Sequence, residues 1–216
     1  MFRSIRQWSD KRANQRDQSR IPQIWRAWEA TRMNAFFVAC ALSILTTQPA
    51  RADELFDADT GLRMAFYRSP TPTTVPHGTV IDSDELGQMI DQGALLLDVL
   101  PAPGFTLTEN GDWILPEIHQ SLPGAIWLPE TGRGKLTPQI ADYLDHSLGV
   151  CAAGRPIVVF CHSDCWMSWN AVQHIADLGY DQLYWFRDGI EGWADMGHDL
   201  APAKALPIGA TSCSPT

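Results

Sequence analysis

The chain has 216 residues, 45% of them hydrophobic and 19% charged, enough for one domain with a packed core. Residues 1–52 hold nine of the 16 basic residues and three of the 25 acidic ones, so residues 53–216 carry seven against 22, a formal net charge of −15. That balance argues against nucleic acid and anionic membrane as partners and favours a basic protein surface or simple solubility.

In chain order, residues 1–32 are a basic leader with eight Lys or Arg against Asp10, Asp17 and Glu29. Residues 35–45 are an apolar run too short to span a bilayer comfortably and of the right length for the core of a signal peptide. Ala50 and Ala52 flank Arg51 in an A-x-A pattern. The three features predict a signal peptide over 1–52, cleavage after Ala52, a periplasmic location and no membrane attachment after cleavage. Met33 is an alternative start, and Cys40 a weaker, lipidation alternative.

Residues 53–79, rich in Pro and Thr, predict an N-terminal extension that drapes over the domain at 80–200. A short strand is predicted at 79–81. Asp82 and Glu85 then have capping-box spacing for a helix ending at Gly93. The continuous apolar run 94–99 predicts a buried parallel strand, and 100–120 a loop. Residues 123–128 predict a turn and short strand, and Thr137–Pro138 an N-cap and first helical position for a helix to about 148. A strand at 157–160, a helix from 166 to about 178, a strand at 183–186 and a short helix at 189–196 follow. Residues 201–216 are a Pro/Ala/Ser-rich tail. Strands alternating with helices predict an α/β fold with a mostly parallel sheet flanked by helices.

The chemistry concentrates at 156–171, read PIVVFCHSDCWMSWNA. A β-branched strand delivers Cys161 to a turn, Cys165 follows four residues on, and a helix starts at Trp166. A thiol there faces the amides and positive dipole end of that helix, which lowers its pKa and raises its reactivity. Cys161 and Cys165 are close enough in sequence to pair, which leaves Cys151 and Cys213 for a structural bridge; the four cysteines allow three connectivities.

These segments resemble a rhodanese-like domain: Leu97, Asp98 and Val99 match an I-D-V-R strand, 121–126 (SLPGAI) an H-I-P-G-A turn, 156–161 the strand before a catalytic cysteine, and 178–180 with 188–193 the L-G-F…G-G-I-x-x-W region. A narrower resemblance is to exported rhodanese-like proteins known as PQQ-dependent catabolism-associated CXXCW motif proteins. It rests on 98–103, 123–129, 132–134 (GRG), 165–171 (CWMSWNA) and 179–180. The resemblance implies a three-layer rhodanese-like fold and an association with periplasmic alcohol oxidation by quinoprotein dehydrogenases. Partners would be a sulfur donor or a disulfide-bearing protein, or such a dehydrogenase or its cytochrome; no cofactor is implied. In an ordinary rhodanese the loop reads C-x-x-G-x-R; here Asp164 stands at the glycine and Trp166 at the arginine, and Leu100 follows Val99. An aspartate repels an anionic donor and tryptophan offers no guanidinium fork, so thiosulfate transfer should be weak.

Three readings follow. In the first, Cys161 attacks as thiolate and Cys165 resolves a mixed disulfide or persulfide, with Asp98 in support and His162, Ser163, Asp164, Trp166 and Arg133 holding the loop or substrate. In the second, Cys161, Cys165 and a histidine (His162, with His119 and His174 further off) bind Cu(I). In the third, a non-catalytic scaffold presents Trp166, Trp169, Trp185 and Trp193 to a partner, with Trp166 exposed at the loop.

Overall fold

A computed structural model of the protein describes residues 55–214. The signal peptide predicted over 1–52 lies outside the described residues. Nine strands, β1 (Thr79–Ile81), β2 (Leu95–Asp98), β3 (Thr106–Leu107), β4 (Trp113–Ile114), β5 (His119–Ser121), β6 (Ile126–Trp127), β7 (Ile157–Phe160), β8 (Leu183–Phe186) and β9 (Ala201–Ala203), are described together with four helices. The helices are α1 (Ser83–Asp91), α2 (Pro138–Cys151), α3 (Trp166–Asp177) and α4 (Gly189–Asp195).

Five strands form the central sheet in the order β1-β8-β7-β2-β6, every neighbouring pair parallel. All four residues of β2 and of β7 are buried, as strands covered on both faces must be. Strand alternation splits the interior in two. Leu95, Leu97, Ile157, Val159 and Cys161 pack with Tyr143, Leu144 and Leu148 of α2 and Val172 and Ile175 of α3. Leu96, Val158, Phe160 and Phe186 pack on the other face with Leu86 and Met89 of α1, bordered by Ile190 and Trp193 of α4. The result is the expected three-layer α/β arrangement. Each burial of a Leu, Val or Ile side chain contributes about 1.5–3 kcal/mol.

The caps read from the sequence are in place. Asp82 accepts from the Glu85 amide while the Glu85 side chain accepts from the Asp82 amide, and Thr137 accepts from the Ile140 amide ahead of Pro138. The segment 100–120 differs from expectation. It is not a plain loop: β3 and β4 pair antiparallel within it, and β5 pairs antiparallel with β9 from the C-terminal tail. Cys151, the last residue of α2, is disulfide-bonded to Cys213, 62 residues away, and Tyr143 Oη donates to the Leu206 carbonyl at 2.6 Å. The Leu206 amide donates to the Trp127 carbonyl at 3.0 Å, which fixes the tail along the β6 edge. No helix among the described residues is long and apolar enough to cross a membrane.

Candidate functional site

Cys161 continues the β7 alternation onto the α2/α3 face, and the next four residues turn the chain into α3. Cys161 and Cys165 are bonded to each other across the turn, their Cα atoms 6.3 Å apart. Asp164 has φ +49°, the left-handed conformation that a glycine would adopt at low cost and that Asp tolerates better than most residues. The loop thus keeps the backbone shape a glycine would give while carrying a carboxylate.

The N-terminal extension lies across this turn as a strap. The Ser69 amide donates to the Asp164 carbonyl (3.0 Å), the Trp166 amide to the Tyr67 carbonyl (2.8 Å) and the Thr71 amide to Asp164 Oδ1 (3.3 Å). Asn170 anchors the strap from α3: its Nδ2 donates to the Arg63 and Gly132 carbonyls, and its Oδ1 accepts from the Arg63 amide. The GRG turn closes against both. A Cβ on Gly132 would land on the Met167 carbonyl, and one on Gly134 on the Arg63 carbonyl; only glycine permits that approach.

Below the disulfide, Trp185 Nε1 donates to Ser168 Oγ at 2.9 Å, and Ser168 Oγ lies 3.1 Å from Cys161 Sγ and 3.2 Å from the Cys165 carbonyl. Beside it, His162 Nδ1 is 2.7 Å from Glu191 Oε1, and Glu191 Oε2 accepts from the Ser163 amide at 2.8 Å. Burial pushes the Glu191 carboxyl up, but the Ser163 amide and His162 outweigh it and hold it below its ordinary value of 4.5. Of the loop amides that would cradle a sulfur, Ser163's therefore serves Glu191 and Trp166's serves the strap.

A cleft of about 470 Å³ opens over the turn, its walls including Tyr67, Arg68, Pro101, Arg133, His162 and Cys165. Arg133 Nε donates to Glu130 Oε2 at 2.8 Å, which raises the guanidinium pKa further, and the guanidinium sits 5.4 Å over the Tyr67 ring. Arg68 lies 3.6 Å from Glu191.

Of the residues singled out in the sequence, the structure places Cys165, His162 and Arg133 on the cleft and Cys161 and Ser163 in the turn behind it. Four assignments need correction. Asp98 is not beside the cysteines. It pairs in register with Phe160, so its side chain emerges on the face opposite Cys161. There it accepts from the Leu100 amide (2.8 Å) and Ser121 Oγ (2.5 Å) and bonds His119 Nε2 (2.7 Å): a buried anchor for β5 and the 99–103 turn.

Trp166 is buried, 8% exposed, rather than displayed. Its indole donates to the Pro70 carbonyl, its ring meets Phe56 and Trp169 edge-on, and the Arg63 guanidinium stacks over it at 5.1 Å. Trp169 and Trp185 are buried as well, which leaves only Trp193 of the four as partly exposed. Asp164 does not face the cleft; its carboxylate is taken by the strap.

The Cys161–Cys165–His162 metal set is likewise not formed. Both sulfurs bond each other, His162 is held by Glu191, and no group of three or more His, Cys, Asp or Glu among the described residues could hold a metal ion. His174 Nε2 bonds the Arg133 carbonyl and so supports the GRG turn.

Sequence reasoning passed over Ser168, Glu191, Tyr67 and Arg68. Ser168 and Asn170 carried a signal, two polar residues on the buried face of an otherwise apolar helix. The Pro/Thr-rich composition of 53–79 signals an extension draped over the domain but not which of its residues meet the turn.

No curated protein matches the chain. Among solved structures it is similar to the crystal structure of a thiosulfate sulfurtransferase from Pseudomonas aeruginosa, at 20% identity and a TM-score of 0.41, covering 63% of this chain and 22% of that one. The chain spans about a fifth of that protein's length. The rhodanese-like domain profile matches residues 82–196, from the cap of α1 to the end of α4 and across the whole 161–166 turn. With more than half of its residues inside that match, the chain belongs to the rhodanese-like domain family.

Proposed function

We propose that this is an exported rhodanese-like protein whose Cys161–Cys165 pair performs thiol–disulfide exchange in the periplasm, alongside PQQ-dependent alcohol catabolism. The observation that carries the chemistry is the pairing itself: the sulfur at the family's nucleophile position is bonded to a second sulfur in the same turn, under a cleft wide enough for a substrate side chain. Support for export comes from the leader, the apolar run and the A-x-A pattern. Two disulfides among the described residues suit an oxidising compartment. The link to alcohol catabolism rests on the CWMSWNA and GRG resemblance, and the partner class on the same footing is a quinoprotein dehydrogenase, its cytochrome or another disulfide-bearing protein.

Sulfur transfer through a persulfide is the second reading. Its support is that Arg68 and Arg133 line the cleft, replacing in space the guanidinium absent at position 166 for an anionic donor. The loop amides engaged by Glu191 and by the strap weigh against it. Burial of three of the four tryptophans weighs against a binding module built on them, and the His162–Glu191 bond weighs against Cu(I) carriage.

The test is the mass of the purified full chain, as isolated and after titration with glutathione redox buffers followed by alkylation. The expected result is reversible opening of Cys161–Cys165 while Cys151–Cys213 stays closed. A persulfide adduct of about 32 Da on Cys161 would replace this reading with sulfur carriage. A pair that never opens without unfolding would end the exchange reading.

A further inference from the structure

Both cysteines of the turn are buried, Cys161 at 0% and Cys165 at 2% exposure, and what separates them is the cleft: Cys165 lines it and Cys161 does not. Thiolate attack on a disulfide runs in line, with the nucleophile, the attacked sulfur and the leaving sulfur arranged end to end. A thiolate in this cleft therefore meets Cys165 Sγ first and drives Cys161 Sγ inward. Attack on Cys161 would have to come from the side filled by Ser168, Trp185 and the core of the α2/α3 face.

The interior is furnished for a leaving thiolate. Trp185 Nε1, a donor only, fixes Ser168 Oγ as its acceptor. The hydroxyl's own proton then has two acceptors in reach, the Cys165 carbonyl at 3.2 Å and Cys161 Sγ at 3.1 Å. While the disulfide is closed the carbonyl is the stronger acceptor. Once Cys161 becomes an anion, a rotation about one bond lets Ser168 donate to it, and the N-terminus of the 12-residue α3 adds its dipole.

We propose that Cys165 is the attacked sulfur and Cys161 the leaving thiolate, stabilised by the Trp185–Ser168 hydrogen-bond relay. This rests on the thiol–disulfide reading above and inverts the order of roles that the family position of Cys161 suggests. The substrate class is a dithiol. Its first thiolate bonds Cys165 Sγ, the Cys161–Cys165 bond breaks, and the electron pair leaves on Cys161. Its second thiolate then attacks its own sulfur in the mixed disulfide, closing the substrate disulfide and releasing Cys165. Two electrons pass from the dithiol to the pair, leaving the substrate oxidised and the site reduced.

The experiment uses the full chain in its oxidised form with glutathione as the attacking thiol, followed by acid quench, unfolding, alkylation and peptide mapping. The expected product carries glutathione on Cys165 and the alkyl group on Cys161. In parallel, the free Cys165 of Cys161→Ser should react with glutathione disulfide at least about tenfold faster than the free Cys161 of Cys165→Ser. Ser168→Ala should shift the exchange equilibrium with glutathione about tenfold toward the disulfide, about 30 mV lower in potential. Glutathione mapped to Cys161, or Cys165→Ser reacting as fast as Cys161→Ser, overturns the assignment and leaves the exchange reading standing. No mixed disulfide on either sulfur overturns both.

Discussion

Two disulfides of opposite character lie among the described residues. Cys151–Cys213 joins the end of a helix to a tail 62 residues away; Cys161–Cys165 closes a turn of four residues. By the chain-entropy relation the first constrains the unfolded chain by about 4 kcal/mol and the second by about 2. The first sits among contacts that hold the tail down, including Tyr143 to Leu206 and the β5–β9 pair. The second has a cleft on one side, a hydroxyl on the other and a strap across its backbone. Loop length makes the first bridge the stronger stabiliser; the surroundings of the second are what support its proposed role in exchange.

Removing the outer bridge breaks the comparison most severely. The double variant Cys151→Ser/Cys213→Ser should lose about 4 kcal/mol of stability, a fall in Tm of roughly 8–16 °C, with glutathione exchange at Cys161–Cys165 unchanged. Asn170→Ala comes next: two carbonyls and an amide lose their partner, costing about 2–3 kcal/mol. Its signature is selective, with faster reduction of Cys161–Cys165 and no change at Cys151–Cys213. Cys161→Ser/Cys165→Ser should cost about 2 kcal/mol in denaturant unfolding and abolish exchange entirely. Ser168→Ala should cost about 1.4 kcal/mol in the exchange equilibrium while leaving the outer bridge's potential in place.

The smallest effect is acidic. Because the Glu191 pKa is depressed in the folded chain, its contribution is fully present above its ordinary value of 4.5 and fades as pH falls through the lower folded value. The Tm difference between the wild-type chain and Glu191→Gln should therefore shrink on acidification from about pH 6 to about pH 3.

The sulfur turn was legible because its information is local. A β-branched strand, a cysteine, a turn and a helix start lie within 16 residues, and the caps at Asp82 and Thr137 need only neighbours three positions on. The strands of two or three residues in 100–121 were not legible, since an alternation that short has no period to detect. Trp166 looks exposed in the sequence because what covers it, Phe56, Arg63 and Pro70, lies about a hundred residues earlier in the chain. The sequence alone points Asp98 toward the cysteines because strand alternation is visible in it but the register between β2 and β7 is not.

The strap also bears on the order of folding. Its hydrogen bonds to 164–170 span separations of 93 to 107 residues, among the longest loops the described domain closes. Contacts of that range carry the largest closure entropy and favour late formation. The turn holding the two cysteines, by contrast, needs only its own strand and helix. The expected order is therefore the sulfur turn first and the strap second, which would leave the pair open to an oxidant before it is covered.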